Sequence, residues 1–343
     1  MRLAFVLPDF YLHDEDRRAD APEWALLAEQ LKFARCQSLP GDWRDWLAMQ
    51  FLVRPAHASI RSSPLVSLAG QIWGRRAESL SDPPAACWFA VPVHCRAGMD
   101  HVLLDGRGCL RLEDHEITEV LACFARDFAG TGWQLRASGD GHLLLAAMSP
   151  VEPTATVAPE RCLGRNLISV LPSGPGAARL RALSGELELW LFGLKLNRDR
   201  VKRGLLTITQ LWCWDRSCPA AWFEPIATDR PRASVRILGR DVVAAMLAHV
   251  HGGVLSSAMP TGELPMGSVP KDLTVVLLPM QEVDAPGCAQ IIDQWLGPAR
   301  QKLHSGGLRA LQVLANDRLF TLGKLDHWRV WRRQRGHFSV LGA

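Results

Sequence analysis

From Leu273 onward the chain alternates strand-like and helical patterns, and this order is its strongest constraint on fold. Residues 273–278 read as a buried strand, and residues 287–303 as a helix stopped by Ser305-Gly-Gly307. Residues 308–314 read as another strand, Asn316-Asp317 as a turn and residues 318–322 as a strand. Strand, crossover helix and strand in succession argue for an α/β layout with partly parallel pairing. Leu3-Ala-Phe-Val-Leu7, ended by Pro8-Asp9, reads as a buried first strand, because strands covered on both faces appear as unbroken apolar runs. A length of 343 residues suits two domains, or one larger α/β domain with an insertion.

The middle of the chain has a different pattern. Residues 21–35 and 43–53 read as helices, the first carrying Trp24, Leu27, Leu31 and Ala34 at helical spacing. Residues 87–93 and 102–104 are strand-like, with a turn at Gly106-Arg-Gly108. Residues 113–128 form a helix whose Ile117, Val120, Leu121, Phe124 and Phe128 make one apolar stripe. A hairpin then turns at Ser138-Gly-Asp-Gly141, between strands at 133–137 and 142–147. The expected divisions are therefore 1–84 as the N-terminal part of the α/β core, 85–150 as a small α+β subdomain, and 151–343 as a linker followed by the C-terminal part of the core. Residues 149–175, rich in Pro, Gly, Thr and Ser, supply the linker or extended crossing. Further elements are expected as a helix at 176–194, a strand at 211–214, and a helix at 241–249 ended by Gly252-Gly253.

With 48% apolar and 22% charged residues, bulk disorder, collagen-like repeats and coiled coils are excluded. A net charge of +4 permits an anionic ligand without arguing for nucleic acid. The nine cysteines are scattered, with no C-x-x-C pair to suggest structural zinc. They read as reduced, buried thiols in a reducing compartment. The first apolar run is too short for a signal peptide, and no stretch approaches the roughly 18 residues of a membrane span. The expectation is a cytoplasmic protein without membrane contact and without a cofactor.

Three polar groups are candidates for chemistry. Asp9, His13, Asp14, Glu15 and Asp16 follow the first strand, where open α/β sheets bind ligands, and carboxylates with His suit a divalent metal. The same pattern also describes a solvated acidic loop. The run from Asn197 to Gly204 gathers Arg198, Arg200, Lys202 and Arg203 ahead of Trp212, Trp214 and Trp222. Arginine forks and a lysine charge suit phosphate or carboxylate, so Asn197, Arg200, Lys202, Arg203, Trp212 and Trp214 form the expected ligand-binding set. A helix end whose cations favour the C-terminal dipole explains the run equally well. In the tail, Lys324, Arg329, Arg332, Arg333 and Arg335 interleave with Trp328 and Trp331, a composition that single-stranded nucleic acid would need. Packed tryptophans on an amphipathic terminal segment give the blander reading. The pairs His94-Cys95, Asp100-His101 and His249/His251 lack supporting ligands or a nucleophile nearby in sequence. No G-x-S-x-G, P-loop or dinucleotide fingerprint occurs.

The run from Lys195 to Gly204, followed by Leu211-Trp-Cys-Trp214, resembles the H-P-x-N-x-x-R-x-x-G … N-S-L-W-x-W-G stretch of bacterial RpfE-type regulatory proteins. The strand Phe89-Ala-Val-Pro-Val-His94 and the Trp328-Arg-Val-Trp331 tail also resemble that family. Lys195 or its neighbour replaces the motif His, a residue within 207–210 replaces the second Asn, and Asp215 stands for the last Gly. The order of parts is similar to that of archaeal-type cofactor-independent phosphoglycerate mutases. That similarity implies a degenerate alkaline-phosphatase-like α/β core with 85–150 as the insert, and Asn197, Arg200 and Gly204 in the return segment. It also implies a metal-binding Asp after the first strand, which Asp9 matches. The family's serine nucleophile sits in a Pro-Gly-Ser-Asp-like turn, where this chain has Pro40-Gly-Asp-Trp43. The family's late His/Asp metal cluster has no counterpart after Leu273. Phosphoryl transfer by that route needs both the hydroxyl and the metals. The resemblance thus implies a non-catalytic regulatory or adaptor protein that binds a small anion or a protein partner. The alternatives are a metal-dependent phosphoglycerate mutase or phosphatase with a rearranged site, and a nucleic-acid accessory protein using residues 324–335.

Overall fold

The computed structural model describes residues 1–8, 27, 29–39, 43–51, 84–137, 143–152, 154–217, 234–239, 241–251, 253–256, 273–278, 285–315 and 318–326. The chain divides into two compact units, Met1–Ser59 with Ala227–Ala343, and Ile60–Ile226. The first is discontinuous in sequence and the second lies within it.

The first unit begins with β1 (Arg2–Val6), β2 (Arg35–Ser38) and α1 (Trp43–Phe51). The second unit then supplies β3 (Ala86–Ala97), β4 (Val102–Cys109), α2 (Asp114–Asp127), β5 (Trp133–Ala137) and β6 (Leu143–Ala147). It continues with α3 (Ala177–Gly193), α4 (Lys195–Lys202) and β7 (Gln210–Ser217). The first unit resumes with β8 (Val235–Leu238), α5 (Val242–His251), β9 (Val254–Ser256) and β10 (Leu273–Leu277). It ends, among the described residues, with α6 (Ala285–His304), β11 (Ala310–Ala315) and β12 (Arg318–Gly323).

In the first unit seven strands pair in the order β2-β12-β11-β1-β10-β8-β9. β11, β1, β10, β8 and β9 run parallel, and β12 and β2 close one side antiparallel. β1 lies between β10 and β11, with Arg2 level with both Leu273 and Ala310. This placement explains the unbroken apolar run: Leu3, Phe5 and Val6 have neighbours on both edges and both faces, and are at most 1% exposed. Full burial of such side chains stabilises by about 1.5–3 kcal/mol each. Phe5, Leu311, Val313 and Phe320 share a core with Trp295, Leu296, Ala299 and Leu303 of α6. β2, β8 and β9 were not expected from sequence. β2 is a four-residue strand exposed at every position, so no burial pattern marks it. Arg35, the last residue of the segment expected to be helical, opens β2; among the described residues of that segment, Leu27 and residues 29–31 are helical.

In the second unit an antiparallel sheet is built around the long strand β3. Its first half pairs with β6, its second half with β4, and β7 runs along the opposite edge. The residues expected to turn at 106–108 continue β4 as strand. One sheet face packs Trp88, Ala90, Leu143, Leu145, Leu211 and Cys213 against α2 and α3. α3 contributes Leu180, Leu183, Leu187 and Leu191 to this core. Here the compact unit runs from Ile60 to Ile226 and takes in the 85–150 block together with α3, α4 and β7. The physical reason is coverage, because one helix of 14 residues cannot shield a five-stranded sheet. α3 shares that task, and β7 completes the pairing of β3.

The segment after β6 is an ordered strap. Gly164 N donates to Leu104 O at 2.8 Å, and Ala155 and Ser173 exchange backbone hydrogen bonds at 2.8 and 3.0 Å. Short 3-10 turns at Pro159–Cys162 and Leu167–Val170 shape its path.

Candidate functional site

The cation-rich run of the second unit folds as α4, and its ends are defined by local chemistry. Leu194 links α3 directly to α4. At the other end Gly204 takes φ +71°, a left-handed conformation that glycine adopts without a Cβ penalty. Leu205 N bonds Arg200 O and Gly204 N bonds Val201 O, the paired contacts of a Schellman stop. Arg200, Lys202 and Arg203 therefore sit in the last turn and cap, where cations oppose the negative end of the helix dipole.

Each expected ligand group has a definite position. Asn197 is buried: its Nδ2 donates to Leu191 O and Ile208 O, both at 2.8 Å, and its Oδ1 accepts Ile208 N at 2.7 Å. One amide thus closes the C-terminal end of α3 onto the segment entering β7. Arg200 Nη1 donates to both carboxylate oxygens of Glu116, at 2.8 and 2.9 Å, and its Nε donates to Leu206 O at 2.7 Å. Side-chain exposure is 6% for Arg200 and 2% for Glu116. Glu116 Oε2 also accepts Glu113 N at 2.9 Å, so the same carboxylate holds the first turn of α2. Arg203 pairs with Glu113 and approaches Glu116 at 3.7 Å. The Arg203 hydrogen bond holds the Glu113 carboxyl below its ordinary pKa. Lys202 is exposed and pairs with Asp199 at 3.3 Å, while Lys195 pairs with the same carboxylate at 2.9 Å. These two lysines, Lys195 first, lower the Asp199 pKa.

Trp212 and Trp214 are both buried and lie on the sheet face opposite the helices. Trp212 Nε1 donates to Val157 O of the strap at 2.7 Å. Trp214 packs on Phe89, with ring centroids 5.1 Å apart. The structure therefore brings Arg200 and Arg203 together with Glu116 of α2 and Glu113 just before it, holds Asn197 against backbone groups, and places the tryptophans across the sheet from the arginines. Lys202 and Arg203 are the members of the expected set whose side chains reach solvent. Glu113 and Glu116 were missed by the sequence reading. Their three-residue spacing before an apolar stripe, a helix-start pattern, was the available signal.

A second polar pair was also missed. In the first unit Asp241 follows the C-terminal end of β8 and stands just before α5. Its Oδ1 accepts Ala244 N at 3.0 Å, an N-cap, and its Oδ2 accepts Arg44 Nε and Nη2 at 3.2 and 2.9 Å. Arg44 comes from α1 and lies over the ring of Trp43 at 4.6 Å. The carboxyl ends of parallel strands are where open α/β sheets bind ligands. At this edge Arg44 and Asp241 are engaged with each other.

The remaining candidates are scattered. His94 Nδ1 lies 2.9 Å from Thr207 O, and Cys95 N donates to Thr209 Oγ1 at 2.7 Å. Burial pushes the Cys95 thiol pKa up, against a smaller lowering from Thr209. Asp100 and His101 pair at 2.5 Å on the surface, and the His101 hydrogen bond lowers the Asp100 pKa. Asp9, His13, Asp14, Glu15, Asp16, the Pro40-Gly-Asp42 turn, Trp222 and the tail from 327 lie outside the described residues, as do the side chains of His249 and His251. Among the described residues no three His, Cys, Asp or Glu side chains converge as metal ligands. Among the same residues no helix is long and apolar enough to cross a membrane.

No protein-family profile matches the chain, and no curated protein matches it. Solved structures similar to it include the cofactor-independent phosphoglycerate mutase from Thermoplasma acidophilum DSM 1728, with 15% identity and a TM-score of 0.34 over 94% of this chain and 89% of that one. The PH0037 protein from Pyrococcus horikoshii is similar at 10% identity and a TM-score of 0.40, over 94% of this chain and 87% of that one. The class this chain defines by its own strand pairing is a mixed α/β protein, with a mainly parallel sheet in one unit and an antiparallel sheet in the other.

Proposed function

We propose that this chain is a non-catalytic regulatory or adaptor protein on a degenerate phosphomutase-like α/β scaffold, related to the RpfE-type regulators. The observation that supports this reading is the use of the basic run. Asn197 and Arg200, the two groups best suited to grip a phosphate, bond the protein's own carbonyls and Glu116 instead. An anion at this site would have to displace a buried carboxylate from a buried guanidinium, an exchange with a large electrostatic cost. Lys202 and Arg203 then provide a secondary contact for a small anion or an acidic partner at the rim of α4.

The test is the metal content of the purified full chain, with manganese-supplemented mutase and phosphatase assays on the same sample. The reading expects no turnover, and no loss of phosphate binding on Asn197→Ala beyond what reduced folding explains. Stoichiometric metal with turnover would overturn it. That outcome would favour the second reading, a metal-dependent phosphoglycerate mutase or phosphatase with a rearranged site. The parallel carboxyl edge bearing Asp241 favours that reading, with Asp9, Asp14 and Asp16 as ligands from the segment after β1. The nucleic-acid reading rests on the tail alone and expects steeply salt-dependent binding.

A further inference from the structure

α3 is apolar on two opposite faces. Leu180, Leu183, Leu187 and Leu191 are buried in the core of the second unit. Ala178, Ala182, Gly185, Leu189 and Phe192 follow the same alternating three- and four-residue spacing half a turn away, and all five are exposed. Leu189 is 78% exposed and Phe192 87%. An ordinary surface helix carries polar residues on this face. Trp190 holds α3 in place from one flank, donating Nε1 to Asp127 at 3.0 Å and meeting Phe124 and Phe128 edge-on. The outward stripe is thus presented on an anchored helix.

The stripe has a shape that fits its own reverse. Its N-terminal half is small and its C-terminal half bulky, with Gly185 between them. Placing a second α3 antiparallel about Gly185 sets Phe192 against Ala178 and Leu189 against Ala182 at both ends. The glycine lets the two backbones approach at the crossing. The charges agree with this pairing. Arg181 and Glu188 lie on one flank of the stripe, and in an antiparallel two-fold pair residues of the same flank face each other. Arg181 of each copy then meets Glu188 of the other. The Arg181 guanidinium also donates to Pro172 O at 2.9 Å, which places the strap, with its exposed Leu171, beside that flank.

We propose that the outward face of α3 is the contact surface of a homodimer, two copies of this chain packed antiparallel through Ala178, Ala182, Gly185, Leu189 and Phe192. The inference is independent of whether the chain is catalytic.

Gly185→Leu gives the cleanest test. A Cβ at Gly185 meets nothing within 4 Å in the free chain, so the larger side chain fits the monomer and raises helix propensity. In the dimer it would stand at the crossing point. Sedimentation equilibrium of the full chain at roughly micromolar concentration should show dimers. Gly185→Leu and Leu189→Glu should each weaken association at least tenfold with unchanged circular dichroism. Arg181→Glu and Glu188→Arg should each weaken it, and the double exchange should restore it. Gly185→Cys should cross-link to its own copy under mild oxidation, while wild type, which carries exposed Cys36, serves as the background. A wild-type chain that stays monomeric to high micromolar concentration overturns the proposal. So does a dimer that tolerates Gly185→Leu and Leu189→Glu, because its contact then lies elsewhere.

Discussion

Among the described residues two arginine–carboxylate pairs are buried, one in each unit, and they differ in how many neighbours share the charge. In the first unit Arg44 meets Asp241, and that carboxylate also caps α5. In the second unit Arg200 meets Glu116, which also accepts Glu113 N, while Arg203 and Glu113 extend the cluster to the surface. Both carboxylates combine two tasks, holding a helix start and neutralising an arginine from another helix. The difference teaches where a basic run acquires its role. The same arginine chemistry that would hold a phosphate serves architecture when an acid is already seated within hydrogen-bond reach. Buried ion pairs of this kind are weak evidence for net stability, yet losing one partner is severe.

Glu116→Ala should have the largest effect. It leaves Arg200 buried without its counterion and frees Glu113 N, for a loss of about 3–5 kcal/mol in the unfolding of the second unit. Urea unfolding followed by the fluorescence of the second unit's tryptophans measures it. The double substitution Glu116→Leu with Arg200→Met sharpens the point, since an apolar pair of similar volume restores much of the loss when the cluster is architectural. A double variant as unstable as the single one would show that Arg200's bond to Leu206 O carries the energy instead.

Asp241→Ala should come next, at about 3 kcal/mol, because it removes one ion pair and one cap in the first unit. Asp241→Asn separates the two contributions. Asparagine caps helices as well as aspartate does, so the asparagine variant should retain roughly 1 kcal/mol of stability relative to alanine. Equal losses in the two variants would leave the cap without measurable worth.

The same pairs show what sequence could and could not reveal. Burial patterns were legible: β1, α2, β10 and α6 each announce themselves through apolar spacing that matches one covered face or two. Side-chain pairing across distance was not, since Arg44 and Asp241 stand 197 residues apart and Arg200 and Glu116 stand 84 apart. The run from Asn197 to Gly204 was identified as special, and its helix-end reading describes its conformation. What sequence alone withheld was the acid opposite it, because Glu116 on α2 meets Arg200 on α4 only through the tertiary fold. β2 was hidden for another reason: it is exposed throughout and made visible only by β12 beside it.

The cysteines extend the comparison between buried and exposed chemistry. Burial pushes the Cys87, Cys162 and Cys213 thiols up to about 12. Cys36 is exposed on β2. Alkylation of the native chain at pH 8 should label Cys36 well before those three, and mass spectrometry of peptides reads the order. Above pH 9 the unfolded thiols ionise while the buried ones do not, so stability should fall with rising pH in that range.

The smallest effect should come from the surface edge of the second unit's cluster. Arg203 depresses the Glu113 pKa in the folded state, chiefly through their hydrogen bond. A depressed carboxyl contributes stability above its unfolded pKa, and that stability disappears as pH falls through the lower folded value. The window therefore opens near the ordinary value of 4.5 and extends below it. Glu113→Gln should flatten the acid limb of stability against pH while leaving the neutral plateau nearly unchanged, because exposed pairs are well screened. Added salt should reduce the difference between wild type and variant. If Glu113→Gln instead destabilised the second unit as strongly as Glu116→Ala does, the cluster would be one cooperative network reaching the surface. The contrast between its buried centre and its exposed edge would then disappear.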